Sequence, residues 1–378
     1  MTAIAQNDLE QVESKPKKRT ASAFQRVFKY SAARLASLLF SVIVAIFLTI
    51  IIANMGGYVD ELRMGEIRET VVQAARANVA YRALPPDQFQ ALVETQIQEQ
   101  AHVEGLDRPF LLRALNYMKN ALTLNLGNAV RMTSDTGSKQ VRLIILERLP
   151  PTLLLWGVSG FLLFFVEIGV ALSLSRQYGS WLDKLFVTMA PLSTTPGWFF
   201  GIFLILIFAS FLRVLPFGGM VDAPVPDNTL DYSLSLAKHL ILPTLALTLS
   251  QVFLQIYNWR TFFLIYSSED YVEIAKAKGL SDKAIERNYV LRPTLPSIIT
   301  NFALTLIALW LGGPITETIF NWPGLGRAFY EAVQFYDTPV ILGQTVIYAY
   351  LLAFTVFLLD YLYALVDPRV KIGGGSQP

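Results

Sequence analysis

The chain has no cysteine and only two histidines, His102 and His239, in 378 residues. Without cysteine there is no disulfide framework, thiol nucleophile or thiolate metal site. Neither an HExxH motif nor a histidine-rich cluster occurs, so a zinc hydrolase has no ligands to use. Charge is scarce as well: 16% of residues are Asp, Glu, Lys or Arg, and the formal net charge is +2. So small a surplus argues against a general nucleic-acid surface. The basic run from Lys15 to Arg19 reads instead as cytoplasmic anchoring beside anionic membrane lipid. No GxxxxGK[ST] loop is present to cradle the phosphates of ATP, so any energy from ATP has to arrive through a partner.

What the chain has in abundance is apolar sequence. It is 53% hydrophobic with a mean hydropathy of +0.43, which rules out an ordinary soluble domain. Six windows without charge are long enough for helices to cross a hydrocarbon core of about 30 Å. They are Leu35 to Val59, Leu149 to Val166, Leu185 to Leu212, Leu240 to Trp259, Pro293 to Thr316 and Thr338 to Leu359. The second continues past Glu167 to about Ser175, and the third contains Pro191 and Pro196, which predict a kink. The pattern is that of an all-α polytopic membrane protein with six transmembrane helices.

Basic residues in the short flanks set the orientation. Seven precede Leu35, two lie between Ser175 and Lys184, six between Arg260 and Arg292, and two follow Asp360; the two short loops on the other side hold three together. Both termini and the 260–292 loop are therefore expected in the cytoplasm. The first 30 residues are polar, so helix one is expected to serve as an uncleaved insertion signal.

The expected organisation is a tail 1–34, a first helix 35–59, an extracytoplasmic insertion 60–148, a five-helix core 149–372 carrying a cytoplasmic loop 260–292, and a flexible tail 373–378. Within the insertion, Phe89, Leu92, Val93, Ile97 and Ala101 recur at helical spacing after Pro85 and Pro86, with Gly105 as a stop. A second amphipathic helix is expected from Glu66 to Tyr81.

The most specific segment runs from Glu269 to Thr300. Ala275 and Ala277 permit close backbone approach, Gly279 suits a left-handed helix stop, and Ser281 suits the cap of a following helix. A helix, turn, helix finger results. Its sequence, with Glu273, Ala275, Lys276, Ala277, Gly279, Leu280, Ser281 and Leu291, resembles the EAA coupling loop of permease subunits in binding-protein-dependent ABC importers. Ile274, Tyr289 and Pro296 depart from the general pattern in the manner of the dipeptide, oligopeptide and nickel branch. Further stretches are similar to these permeases: His239 to Pro243, Glu317 to Gly326, Asp360, and Asp367-Pro368-Arg369. A solvated amphipathic helix is the plainer reading of a charged loop, but it does not account for this spacing.

The resemblance implies a protein of the prokaryotic inner membrane whose finger docks on an ATPase, with the residues just named coupling the two. It also implies a second homologous permease subunit, two ATPase subunits that use ATP and Mg, and an extracytoplasmic solute-binding protein that docks on the insertion. The expected cargo is peptide, with oligosaccharide and then nickel as alternatives. The chain itself is expected to be neither an enzyme nor a holder of any cofactor or metal.

Polar residues inside the apolar windows are candidates for the pathway. Glu167 lies in helix two, and Gln251, Gln255 and Asn258 share a helical spacing in helix four. Such groups are costly in hydrocarbon and turn inward, either to line a pathway or to bond neighbouring helices, and the two readings weigh equally. An ATP-independent secondary transporter would use Glu167, Glu317 and Asp360 as ion sites but leaves the finger unexplained. An intramembrane protease built on Gly157 to Gly160 lacks a suitably placed histidine.

Overall fold

The computed structural model describes residues 23–53, 57–310 and 312–366, which form helices joined by turns, with one isolated bridge between Asn128 and Gln140. The basic run, the Asp367-Pro368-Arg369 stop and the 373–378 tail lie outside the described residues. Among the described residues five helices are long and apolar enough to cross a membrane, or six if a sharply bent pair is one span.

The first span, α1 (Ala23–Ala53), begins earlier and ends earlier than the window from Leu35 to Val59. The insertion follows as α2 (Tyr58–Ala77), α3 (Val79–Arg82), α4 (Pro86–Val103) and α5 (Phe110–Leu122). As the spacing predicts, α4 turns Val93, Ile97 and Ala101 inward, against Ile67 and Ala75 of α2, and Gly105 follows it in the left-handed region. The helix expected from Glu66 to Tyr81 instead starts at Tyr58 and breaks at Asn78, whose side chain accepts the Ala80 N–H. Sequence patterning missed α5, which lays Ala114 and Ala121 against Val42, Ile46 and Ile50 of α1 and Val346.

The second span, α6 (Val141–Arg176), starts before Leu149 because charged Glu147 and Arg148 cut the apolar window without breaking the helix. Both point to the preceding loop, where Glu147 accepts the Asp135 N–H and Arg148 pairs with Asp135. The third span bends by 100° between Trp181–Thr194, which contains α7 (Trp181–Met189), and Gly197–Phe211, which contains α8 (Gly197–Leu204). The prolines thus make a corner rather than a kink.

The fourth window straddles two helices, α9 (Thr229–Leu249) and α10 (Val252–Ser267), interrupted at Gln251 with φ −133° and ψ −30°. Both run parallel to α6: Ser159 bonds Thr244 at 3.1 Å, and further along Glu167 accepts from Trp259 at 3.1 Å. With lipid outside, such contacts are carried by packing and hydrogen bonds rather than by exclusion of water.

Next come α11 (Asp270–Ala277) and α12 (Asp282–Ile285), which continues through a π-helical turn, Glu286–Leu291, into α13 (Arg292–Ala308). Gly312, at φ 63°, follows that helix, so the fifth span does not reach Thr316. Short helices α14 (Pro314–Ile319) and α15 (Leu325–Gln334) form a hairpin before α16 (Thr338–Val366), which lies beside α1 with Arg34 bound to Asp360.

Candidate functional site

The finger is built from α11 and α12. Val272, Ala275 and Ile285 are buried together with Tyr289 packed on them, which gives the tip a small core of its own. Tyr271 stacks on Tyr289 with ring centroids 6.5 Å apart, and burial together with neighbouring Glu269 raises its phenol above the ordinary range. The end of α11 is a Schellman turn: the Gly279 N–H donates to the Lys276 carbonyl and the Leu280 N–H to the Ala275 carbonyl. Gly279 has the left-handed φ of 75° that its position predicts. Ser281 occupies the cap position of α12, but its side chain makes no capping bond; the finger closes through backbone alone.

This arrangement sorts the expected coupling residues. Glu273, Lys276, Ala277, Gly279, Leu280 and Ser281 are exposed, joined by Ile274, whereas Ala275 faces the finger's interior. The exposed residues form a surface of mixed charge that includes apolar Ile274 and Leu280.

Two ion pairs tie the segments flanking the finger to the rest of the bundle. Glu286 receives Arg176 from the end of α6 at 2.7 Å. Arg260 on α10 donates to both carboxylate oxygens of Asp183 on α7, at 2.7 and 2.6 Å, with Tyr178 lying 4.9 Å from the guanidinium. Between α6 and the finger runs a groove of about 460 Å³ bordered by Arg176, Lys276, Asp282 and Glu286.

Three of the four polar residues expected along the pathway line one cavity. Glu167, Gln251 and Gln255 share a space of about 230 Å³ with Asn301, Ser159, Thr305 and Trp156. Among the described residues no basic side chain borders it. Asn258 is not part of it and is exposed elsewhere on α10. Glu167 is 2% exposed and is bonded by Trp259, so it both lines the cavity and joins α6 to α10. Asn301, Trp156 and the mooring pairs were not foreseen; a lone amide in the fifth apolar window was the available signal for Asn301.

At the other end of α6, Glu317 is fully buried in the α14–α15 hairpin. It accepts from Thr152 and Trp156 of α6, each at 3.1 Å, and from the Arg327 N–H at 3.0 Å. Burial pushes its carboxyl above the usual range while these donors pull it back. Thr152 in turn accepts the Leu325 N–H at 2.6 Å. His239 is also accounted for locally, its ring nitrogen 2.8 Å from the Ser235 carbonyl. The 24 steps from Thr152 to Arg176 cover about 36 Å at 1.5 Å per residue, so hairpin and finger occupy opposite ends of the bundle with the cavity between them.

Residues 167–372 match the family described as binding-protein-dependent transport system inner membrane components. A putative peptide permease protein of Brucella suis is 31% identical over 71% of this chain and 82% of its own length. The oligopeptide transport system permease protein AppB of Bacillus subtilis is 30% identical over 78% of this chain and 92% of its own. A chain of the MetNI methionine ABC transporter in an inward-facing conformation aligns with 59% of this chain and 96% of its own, at 18% identity and a TM-score of 0.44.

Proposed function

Because this chain belongs to the family of inner membrane components of binding-protein-dependent transport systems, we propose that it lines the route by which an ABC importer brings peptides into the cell. The observation that carries the coupling half of this reading is the finger: a tip with its own core, exposed coupling residues, and a rigid continuation through α12 into α13. Docking of an ATPase subunit on Glu273, Ile274, Lys276, Ala277, Gly279, Leu280 and Ser281 moves the tip, and the moorings at Arg176 and Arg260 pass that motion to α6 and α7. Ala275 contributes from inside by holding the tip's shape.

The same reading assigns ATP and Mg to two partner subunits and a second homologous permease to the bundle's open side. A solute-binding protein docks on the 60–148 insertion, the 149–372 core surrounds the pathway, and both termini and the finger face the cytoplasm of an inner membrane. Glu167, Gln251 and Gln255 belong to that pathway, and Asn258 to the surface beside it. Peptide is the favoured cargo because the relatives quoted above are peptide and oligopeptide permeases.

Reconstitution of the chain with its co-encoded partners in liposomes, and measurement of uptake from panels of short peptides, oligosaccharides and nickel, tests the proposal. ATP-dependent peptide uptake is expected. Uptake of sugar or nickel alone replaces the cargo, and uptake driven by an ion gradient without ATP removes the coupling scheme.

A further inference from the structure

Trp156 stands where the hairpin meets the cavity. One edge of its indole donates to Glu317, and its ring lies against the backbone of Gly313, where an added Cβ would be 2.5 Å from the ring. The same side chain borders the 230 Å³ space that holds Glu167, Gln251 and Gln255. Its ring also packs against a buried apolar cluster of Leu155, Leu247 and Trp322, and the Trp322 N–H is spent on the Pro151 carbonyl at 2.8 Å. Glu317 bonds Trp156 from one helix turn of the hairpin and the Arg327 N–H from the other, so the hairpin's fold and the position of the indole depend on one carboxylate.

We propose that Trp156 is the plug that closes the cavity toward the α14–α15 hairpin and that Glu317 is the residue positioning it. This inference rests on the reading of the cavity as part of the transport route. The α6 helix carries the plug on its hairpin half and Arg176, one of the two finger moorings, at its far end. Movement of the finger thereby reaches the plug along a single helix. The Trp156–Glu317 bond is the contact that has to break for the cavity to open on the hairpin side. Neither residue touches cargo in this scheme while the plug is closed.

Absence of cysteine in the native chain makes access directly measurable. Thr305→Cys places one thiol on the cavity wall, and its labelling by a membrane-impermeant maleimide is followed by the mass of this chain, in the assembled complex without ATP, with reagent on one side at a time. Slow labelling from the hairpin side is expected for the otherwise native chain. Trp156→Phe keeps the ring and removes only the donor, and is expected to speed labelling from that side about tenfold without changing the rate from the finger side. Glu317→Gln keeps one oxygen able to accept the indole N–H and is expected to speed labelling by less, and the double variant labels no faster than Trp156→Phe alone. Unchanged labelling in Trp156→Phe overturns the proposal, as does equal acceleration from both sides or multiplication of the two effects in the double variant. Trp156→Phe carries the test if Glu317→Gln fails to assemble. Labelling uses neither cargo nor ATP, so a wrong assignment of peptide as cargo leaves its outcome intact.

Discussion

Asp183 grips Arg260 with both carboxylate oxygens, and the two side chains are 4% and 11% exposed. The Gly179 N–H adds a further bond to Asp183 at 2.9 Å, so the turn into α7 and the helix leading to the finger are fixed as one piece. Removing one partner strands a buried charge, which typically costs about 3–5 kcal/mol, whereas removing both is far milder. Asp183→Asn is expected to lower the unfolding midpoint in detergent sharply, and Asp183→Asn with Arg260→Gln to recover a large part of the loss. A double variant no more stable than the single would remove this account.

The Arg176–Glu286 pair predicts a different outcome because Arg176 is 40% exposed. Exposed pairs contribute roughly 0–1 kcal/mol, so Arg176→Glu should leave thermal stability nearly unchanged. Its expected effect is on coupling: a several-fold drop in peptide uptake per ATP hydrolysed in the reconstituted complex. Exchange of the two charges, with Arg176→Glu and Glu286→Arg together, should restore the ratio.

Gly279 has φ 75° and open space around the place of a Cβ, so a substitution there meets backbone strain rather than a clash. An L-residue in the left-handed region costs roughly 1–2 kcal/mol, and Asn bears it best. Gly279→Val is expected to abolish uptake while the protein still folds and inserts, and Gly279→Asn to retain most activity. Normal uptake by the valine variant would exclude the finger as a rigid lever.

Asp337 is fully buried and accepts three successive backbone N–H groups, from Val130, Arg131 and Met132, at 3.1, 2.8 and 2.9 Å. It pins the 128–140 loop to the start of α16. Each buried donor left unpaired costs about 1–3 kcal/mol. Asp337→Ala should therefore release the three amides to rapid hydrogen exchange and expose the loop to protease, with α11 and α12 unaffected.

Much of this layout was legible in the sequence because apolar length and a charged interruption are local signals. The finger announced itself through Gly279 and the polar run between two windows, and α4 through the spacing of Val93, Ile97 and Ala101. Windows failed where charge and helix disagree: Glu147 and Arg148 hid the start of α6, and the uncharged run through Gln251 concealed a break. A polar residue inside an apolar window pointed to Glu167, which is buried, whereas Gln251 and Gln255 border the same cavity while remaining exposed and half-buried. Nothing local marked Trp156 or Asp183, whose roles exist only through partners 161 and 77 residues away.

The pairing of Arg34 with Asp360 places the first span against the last, and the buried Val42, Ile46 and Ile50 of α1 meet Val346 of α16. During synthesis α1 enters the membrane long before its main neighbour exists, with only α5 of the insertion available to cover part of that face. Completion of the bundle is thus a late event that waits for the end of the chain. A ribosome that stops after α13 leaves inserted helices in which the part of the α1 face not met by α5 stays open to lipid and available to membrane quality control.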